Sequence, residues 1–164
     1  MEIRRYNRDA AVAYARRWAF DRNPAYYDFE ELGGNCTNFA SQCIYAGSGV
    51  MNYTPVTGWF YISTDNRTAS WTGVQYLYEF LVNNKGPGPY AKEVDVSQIE
   101  RGDIVQISFD GETFAHTPVV ISVGSPPSPS NILVAANSYD SLDRPLDTYD
   151  YKKIRYIHIE GVRT

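Results

Sequence analysis

Cys36 directly follows Gly33-Gly34-Asn35 and opens a run with helical apolar spacing: Cys36, Phe39, Ala40, Cys43, Ile44 and Gly47. A cysteine at that place sits at a helix N-terminus, where exposed backbone N–H groups and the helix dipole favour a thiolate. The same N–H groups could hold the oxyanion of an acyl-transfer intermediate. The plainer alternative makes Cys36 the first apolar residue of a buried stripe. Cys43 lies deeper on that stripe and reads as core. Seven residues apart on one helix, the two thiols would stand about 10 Å apart along its axis, too far for a disulfide.

A nucleophilic cysteine needs a base. The chain has two histidines, His116 and His158. His116 precedes the apolar run Pro118-Val119-Val120-Ile121, so it enters a buried strand, as a base or as a hydrogen-bonded core histidine. His158 alternates with apolar residues near the C-terminus and reads as a half-exposed strand histidine. If the strands over 116–123 and 132–137 pair across the proline-rich loop between them, the partner of His116 falls within a residue or two of Asn137. Asn137 could then fix the imidazole tautomer, giving a Cys-His-Asn arrangement. Alternatively, Asn137 to Asp140 is a turn at a strand end. With two cysteines and two histidines, no metal-ligand spacing occurs, and neither metal nor cofactor is expected.

These residues must be positioned by elements of two kinds. Asn7 is a candidate N-cap for a helix with the stripe Ala11, Tyr14, Ala15 and Trp18. A second helix runs from about Cys36 to Gly47. A third runs from about Ser70 to Asn84 and stops at a Gly-Pro-rich breaker over 85–89. The hydrophobic period then changes from 3.6 to 2. Strands are expected at Asp103–Phe109, Phe114–Val123, Ile132–Ala136 and Ile154–Glu160, with Asp110-Gly111 as a hairpin turn. Helices first and strands afterwards predict an α+β fold with a mostly antiparallel sheet.

The 164 residues suit one domain over 1–164. No apolar run reaches the roughly 18 residues of a membrane span, so no membrane insertion is expected. Fifteen Lys and Arg against nineteen Asp and Glu give a formal charge of −4. The pairs Arg4-Arg5, Arg16-Arg17 and Lys152-Lys153 are scattered, and no nucleic-acid partner is expected. The start of the chain has no apolar h-region, so no signal peptide is expected. An excised domain would look the same, and a cytoplasmic home stays open.

The chain resembles the amidase-domain family, a branch of the papain-like cysteine hydrolases that also includes the NlpC/P60 and CHAP peptidoglycan hydrolases. The resemblance runs nearly end to end. Its most specific block is Asn35-Cys36-Thr37-Asn38-Phe39-Ala40-Ser41-Gln42-Cys43. It also covers Tyr6 to Ala15, Trp59, Trp71, Arg101 to Ile104, His116 to Val120, Asn137 to Asp140 and Arg144-Pro145-Leu146. It implies a papain-like fold with Cys36 as nucleophile, acting on a bacterial cell-wall peptide or its bond to the glycan. It also implies an extracellular or cell-wall-associated place, and we expect a monomer. Family members usually carry Asp at the position of Asn35 and often His at that of Asn137.

The leading expectation is therefore a cysteine amidase or peptidase. Cys36 attacks, His116 moves the proton and Asn137 orients His116, with Asp140 in reserve. The Cys36 amide and the Asn35 side chain would bind the oxyanion. Two other readings use the same residues. An inactive peptide- or glycan-binding module would line its groove with Trp59 and Trp71. An acyltransferase would resolve the acyl-enzyme with an amine.

Overall fold

The N-cap Asn7 accepts a hydrogen bond from Ala10 N at 3.0 Å, and Asp9 lies in the first turn, so the first helix begins where the sequence places it. The computed structural model describes residues 1–164. In chain order its elements are β1 (Ile3–Arg4), α1 (Arg8–Trp18), α2 (Cys36–Ser48), β2 (Tyr61–Ser63) and β3 (Asn66–Arg67). Then follow α3 (Ala69–Thr72), α4 (Val74–Asn83), β4 (Gly88–Val94) and β5 (Ile104–Ser108). The last are β6 (Val119–Ser122), β7 (Leu133–Ala136), β8 (Ser141–Pro145) and β9 (Lys153–Arg163). No helix is long and apolar enough to cross a membrane.

The class is α+β. Seven strands form one antiparallel sheet in the order β1-β9-β5-β6-β7-β8, with β4 also paired to β9. β2 and β3 make a separate ribbon. The long β9 pairs with three strands: β4 over Val94–Gly88, β5 over its first residues and β1 at its end.

The larger core lies between the helices and one sheet face, with Ala11, Ala15, Phe39, Ile44, Leu77, Leu81, Ile104 and Ile157 among its members. A smaller core covers the other face with Val105, Ile107, Val120, Val134, Leu146 and Tyr149. Every residue of β5 is therefore buried, with Ile104 and Val105 facing opposite cores as the period of 2 requires.

Helix α2 runs through the middle of the larger core, and eleven of its thirteen residues are buried, polar ones included. Buried polar side chains need partners. Ser41 Oγ donates to Trp71 O at 2.9 Å and accepts from Trp59 Nε1 at 3.1 Å. Tyr14 Oη donates to Gln42 Oε1.

Four differences from the sequence expectation have local causes. The third helix is broken at Gly73, whose extended backbone separates α3 from α4. A Cβ there would stand 2.9 Å from Tyr76 and 3.0 Å from Ala69 O, so a side chain does not fit the break. The predicted breaker at 85–89 leads straight into β4. Pro89 is tolerated there because β4 pairs with β9 alone and the missing N–H removes no second ladder. The strand expected from Phe114 shrinks to Val119–Ser122, since Pro118 cannot donate and His116 makes only an isolated bridge to Ile107. β8, Ser-Leu-Asp-Arg-Pro in sequence, has no apolar alternation to announce it and forms as the outer partner of β7.

Candidate active site

The loop before α2 turns at Gly33 and Gly34, both at positive φ (91° and 97°), where a side chain would be strained. Gly34 N donates to Phe29 O at 3.0 Å, and Asn35 N donates to Ser138 Oγ at 2.9 Å. The turn thus delivers Cys36 as the first residue of α2. Asn35 takes the N-cap place, yet its side chain makes no cap, and no side chain caps the first N–H groups of the helix.

Cys36 and His116 line one cleft of about 580 Å³ together with Gly34, Phe109, Ala115, Ser138, Tyr139, Arg144 and Tyr149. Cys36 is 9% exposed and His116 5%. Around the sulfur, Thr37 Oγ1 is at 3.7 Å and Ala115 O at 4.0 Å, and no hydrogen bond joins it to the imidazole. Thr37 Oγ1 in turn lies 3.1 Å from Thr117 Oγ1, which accepts from Gln106 Nε2 at 3.3 Å. Gln106 Oε1 accepts from Arg155 Nε at 2.9 Å, and that guanidinium lies over the rings of Tyr78 and Phe114.

Burial sets the protonation states. It pushes the Cys36 thiol above its ordinary value, against hydrogen bonds from the Thr37 hydroxyl and from the backbone N–H groups of Thr117, Thr37 and Cys36 itself. Burial, with the Arg144 charge adding to it, holds the His116 imidazole down at about 4. At neutral pH both groups are neutral. This corrects the expectation, drawn from the helix terminus, of a depressed thiol pKa: desolvation outweighs the terminal N–H groups.

The structure brings Cys36 and His116 to one cleft and puts the other candidates elsewhere. The expected pairing of His116 with the region of Asn137 does not form: β6 starts at Val119, β7 ends at Ala136, and residues 137–140 make a turn, the alternative reading. The Asn137 side chain points away from the ring. Its Nδ2 donates to Ala19 O at 3.0 Å and its Oδ1 accepts from Asn35 Nδ2 at 3.0 Å. Asn137 therefore does not orient His116, whose Nε2 is buried without a partner. Asp140 does not either: both of its carboxylate oxygens are held by Arg22 at 3.0 Å.

Asn35 is 1% exposed and is not among the residues lining the cleft. Its Nδ2 is taken by Asn137, and its Oδ1 accepts from Phe29 N at 3.0 Å and Asn38 Nδ2 at 2.9 Å. Trp59 and Trp71 are not groove residues. Both are 0% exposed, with ring centres 4.6 Å apart inside the larger core. Trp71 Nε1 donates to Asn38 Oδ1 at 3.0 Å, which links this core to the same amide network. Hence Asn35, Asn137 and Trp71 support the turn that carries Cys36.

Sequence reasoning missed the cleft's own neighbours. Tyr149 stands with its ring centre 5.5 Å from that of His116, and the Arg144 guanidinium lies 3.6 Å over the Tyr149 ring. Arg144 was within reach through the Arg144-Pro145-Leu146 block of the family resemblance. Tyr149 carries no local signal. His158 faces a different partner, with Nδ1 2.8 Å from Asp103 Oδ2, and is not among the residues lining the cleft.

The site thus sets a helix-terminal thiol and an imidazole from the segment that leads into β6 on one cleft. The chain belongs to the family described as "Putative amidase domain", whose profile matches residues 5–159, and that description points to amide hydrolysis. It is 34% identical over 139 residues to "Uncharacterized protein YhbB" of Bacillus subtilis (strain 168), a match that covers 83% of the chain. The chain spans 42% of that relative's length. No solved structure matches it.

Proposed function

We propose that this protein is a cysteine-dependent amidase or peptidase of papain-like descent, with Cys36 as nucleophile and His116 as general base. The observation that carries the reading is the shared cleft: the one thiol beside an uncapped helix start and the one imidazole with an unpartnered nitrogen line the same cavity.

Both groups rest neutral, so the reaction begins with proton transfer during attack. The Cys36 S–H proton passes to the His116 imidazole as sulfur bonds to the amide carbonyl carbon, and the carbonyl electron pair moves onto oxygen. The Cys36 and Thr37 N–H groups at the start of α2 are the oxyanion donors. Collapse of the adduct breaks the C–N bond, and the departing amine takes the proton from the imidazolium. Water, losing a proton to His116, then attacks the thioester carbonyl; the C–S bond breaks, the acid is freed, and the imidazolium returns the proton to the Cys36 sulfur. Asn137 acts at a distance in this scheme, by fixing Asn35 and hence the turn before Cys36.

The proposed substrate is a bacterial cell-wall peptide, a reading that rests on the family resemblance and that would place the protein outside the cell. Release of new amino groups from a purified peptidoglycan digest tests it. The parent protein should produce them and Cys36→Ala should not, because removing the nucleophile leaves only positioning and the oxyanion site. Equal release by both proteins overturns the mechanism. If the parent binds the digest without cleaving it, the fold serves as a binding module.

A further inference from the structure

Arg144 is a cation in the cleft without a carboxylate partner. Its Nε donates to Thr148 Oγ1 at 2.7 Å and its Nη2 to Thr148 O at 3.2 Å. A guanidinium has five N–H groups in a planar fork. Those two bonds use the side edge and leave Nη1 and the second Nη2 hydrogen, the end edge that matches a carboxylate in bidentate fashion. The Tyr149 ring beneath the guanidinium at 3.6 Å fixes its plane. Two carboxylates also line the cleft, and neither pairs with Arg144. Glu30 is held by Arg22 at 3.3 Å and by Ser138 Oγ at 2.9 Å, and Asp150 is exposed.

The position of this free edge relative to the proposed chemistry is bounded. The Arg144 guanidinium carbon is 3.6 Å from the Tyr149 ring centre, which is 5.5 Å from that of His116. The guanidinium therefore lies within about 9 Å of the imidazole, a reach of up to about three residues of extended chain. Arg144 is the arginine that lines this cleft, whereas Arg8 and Arg22 are paired with Asp103 and Asp140 outside it.

We propose that Arg144 is the specificity residue of the cleft and takes a carboxylate that the substrate carries within about three residues of the scissile amide. The inference rests on the reading of Cys36 and His116 as the reacting pair and names the substrate class for it: an anionic peptide. Arg144 is placed by Thr148 and Tyr149 before the substrate arrives, so little ordering is lost on binding.

The test compares a peptidoglycan stem-peptide fraction with the same fraction after its carboxylates are converted to carboxamides. Binding is measured by calorimetry on the Cys36→Ala protein, and kcat/KM on the parent. The carboxylate form should bind and react about 10- to 100-fold better, the range for a hydrogen-bonded charge. Adding Arg144→Gln should abolish that preference, and Arg144→Lys should keep part of it through charge without the fork. No advantage of the carboxylate form, or an undiminished one in Arg144→Gln, overturns the assignment. A binding preference that depends on Arg144 with no cleavage by the parent would instead sink the hydrolase reading and leave the carboxylate site standing.

Discussion

Asn35 Nδ2 donates to Asn137 Oδ1 at 3.0 Å across 102 residues of sequence. The bond joins the turn that presents Cys36 to the turn after β7, so the two segments that line the cleft next to these residues are tied together. Residues that sequence reasoning places in the reaction thus hold the reacting elements together.

Asn137→Ala should act through that tie. It leaves buried polar atoms of Asn35 and Ala19 without partners, at a cost of about 1–3 kcal/mol. Urea unfolding should show this loss. Turnover should fall far less than in His116→Ala, and the pH profile should keep its shape because Asn137 makes no contact with the ring. A displaced acid limb in Asn137→Ala would restore a direct role.

Alkylation by iodoacetamide should mark Cys36 well ahead of Cys43, which is 0% exposed. With the thiol raised by burial, the Cys36 rate should climb about tenfold per pH unit from pH 7 to 8.5 as the thiolate fraction grows. A rate already level below pH 7, read by mass mapping, would mean a preformed thiolate–imidazolium pair.

His116 links stability to pH. Its folded value of about 4 lies below the ordinary 6.5, so the unfolded chain binds the proton first as pH falls. The contribution is complete above pH 6.5 and is lost between 6.5 and 4. It amounts to a loss on the order of 3 kcal/mol. His116→Gln should flatten that part of the stability curve, measured by denaturant titration at several pH values. The acid limb of kcat/KM should also fall near pH 4, where the base is consumed. Parallel stability curves for parent and variant would contradict a buried neutral imidazole.

Trp71→Ala should destabilise by about 3–5 kcal/mol, the range for emptying a large buried aromatic site. Trp71 touches Trp59, Tyr26 and Tyr45 and holds Asn38, and no part of it meets solvent. Substrate KM of any folded remainder should stay near that of the parent. Weakened binding at unchanged stability would return Trp71 to the groove.

What local physics decides is legible in the residues. The Asn7 cap, the apolar stripes of α1 and α2 and the change of period after residue 85 specify helices first and an antiparallel sheet after. The glycine pair before Cys36 specifies a thiol at a helix start. Packing decides which way side chains turn beyond β7, and there Asn137 takes the buried carbonyl of Ala19 and the amide of Asn35 instead of the ring. It also decides the protonation states, since desolvation depends on every neighbour and local sequence shows only the helix dipole. Arg144 and Tyr149 reach the cleft through β8 and the turn that follows it, whose polar sequence forms a strand only because β7 is already in place to pair with it.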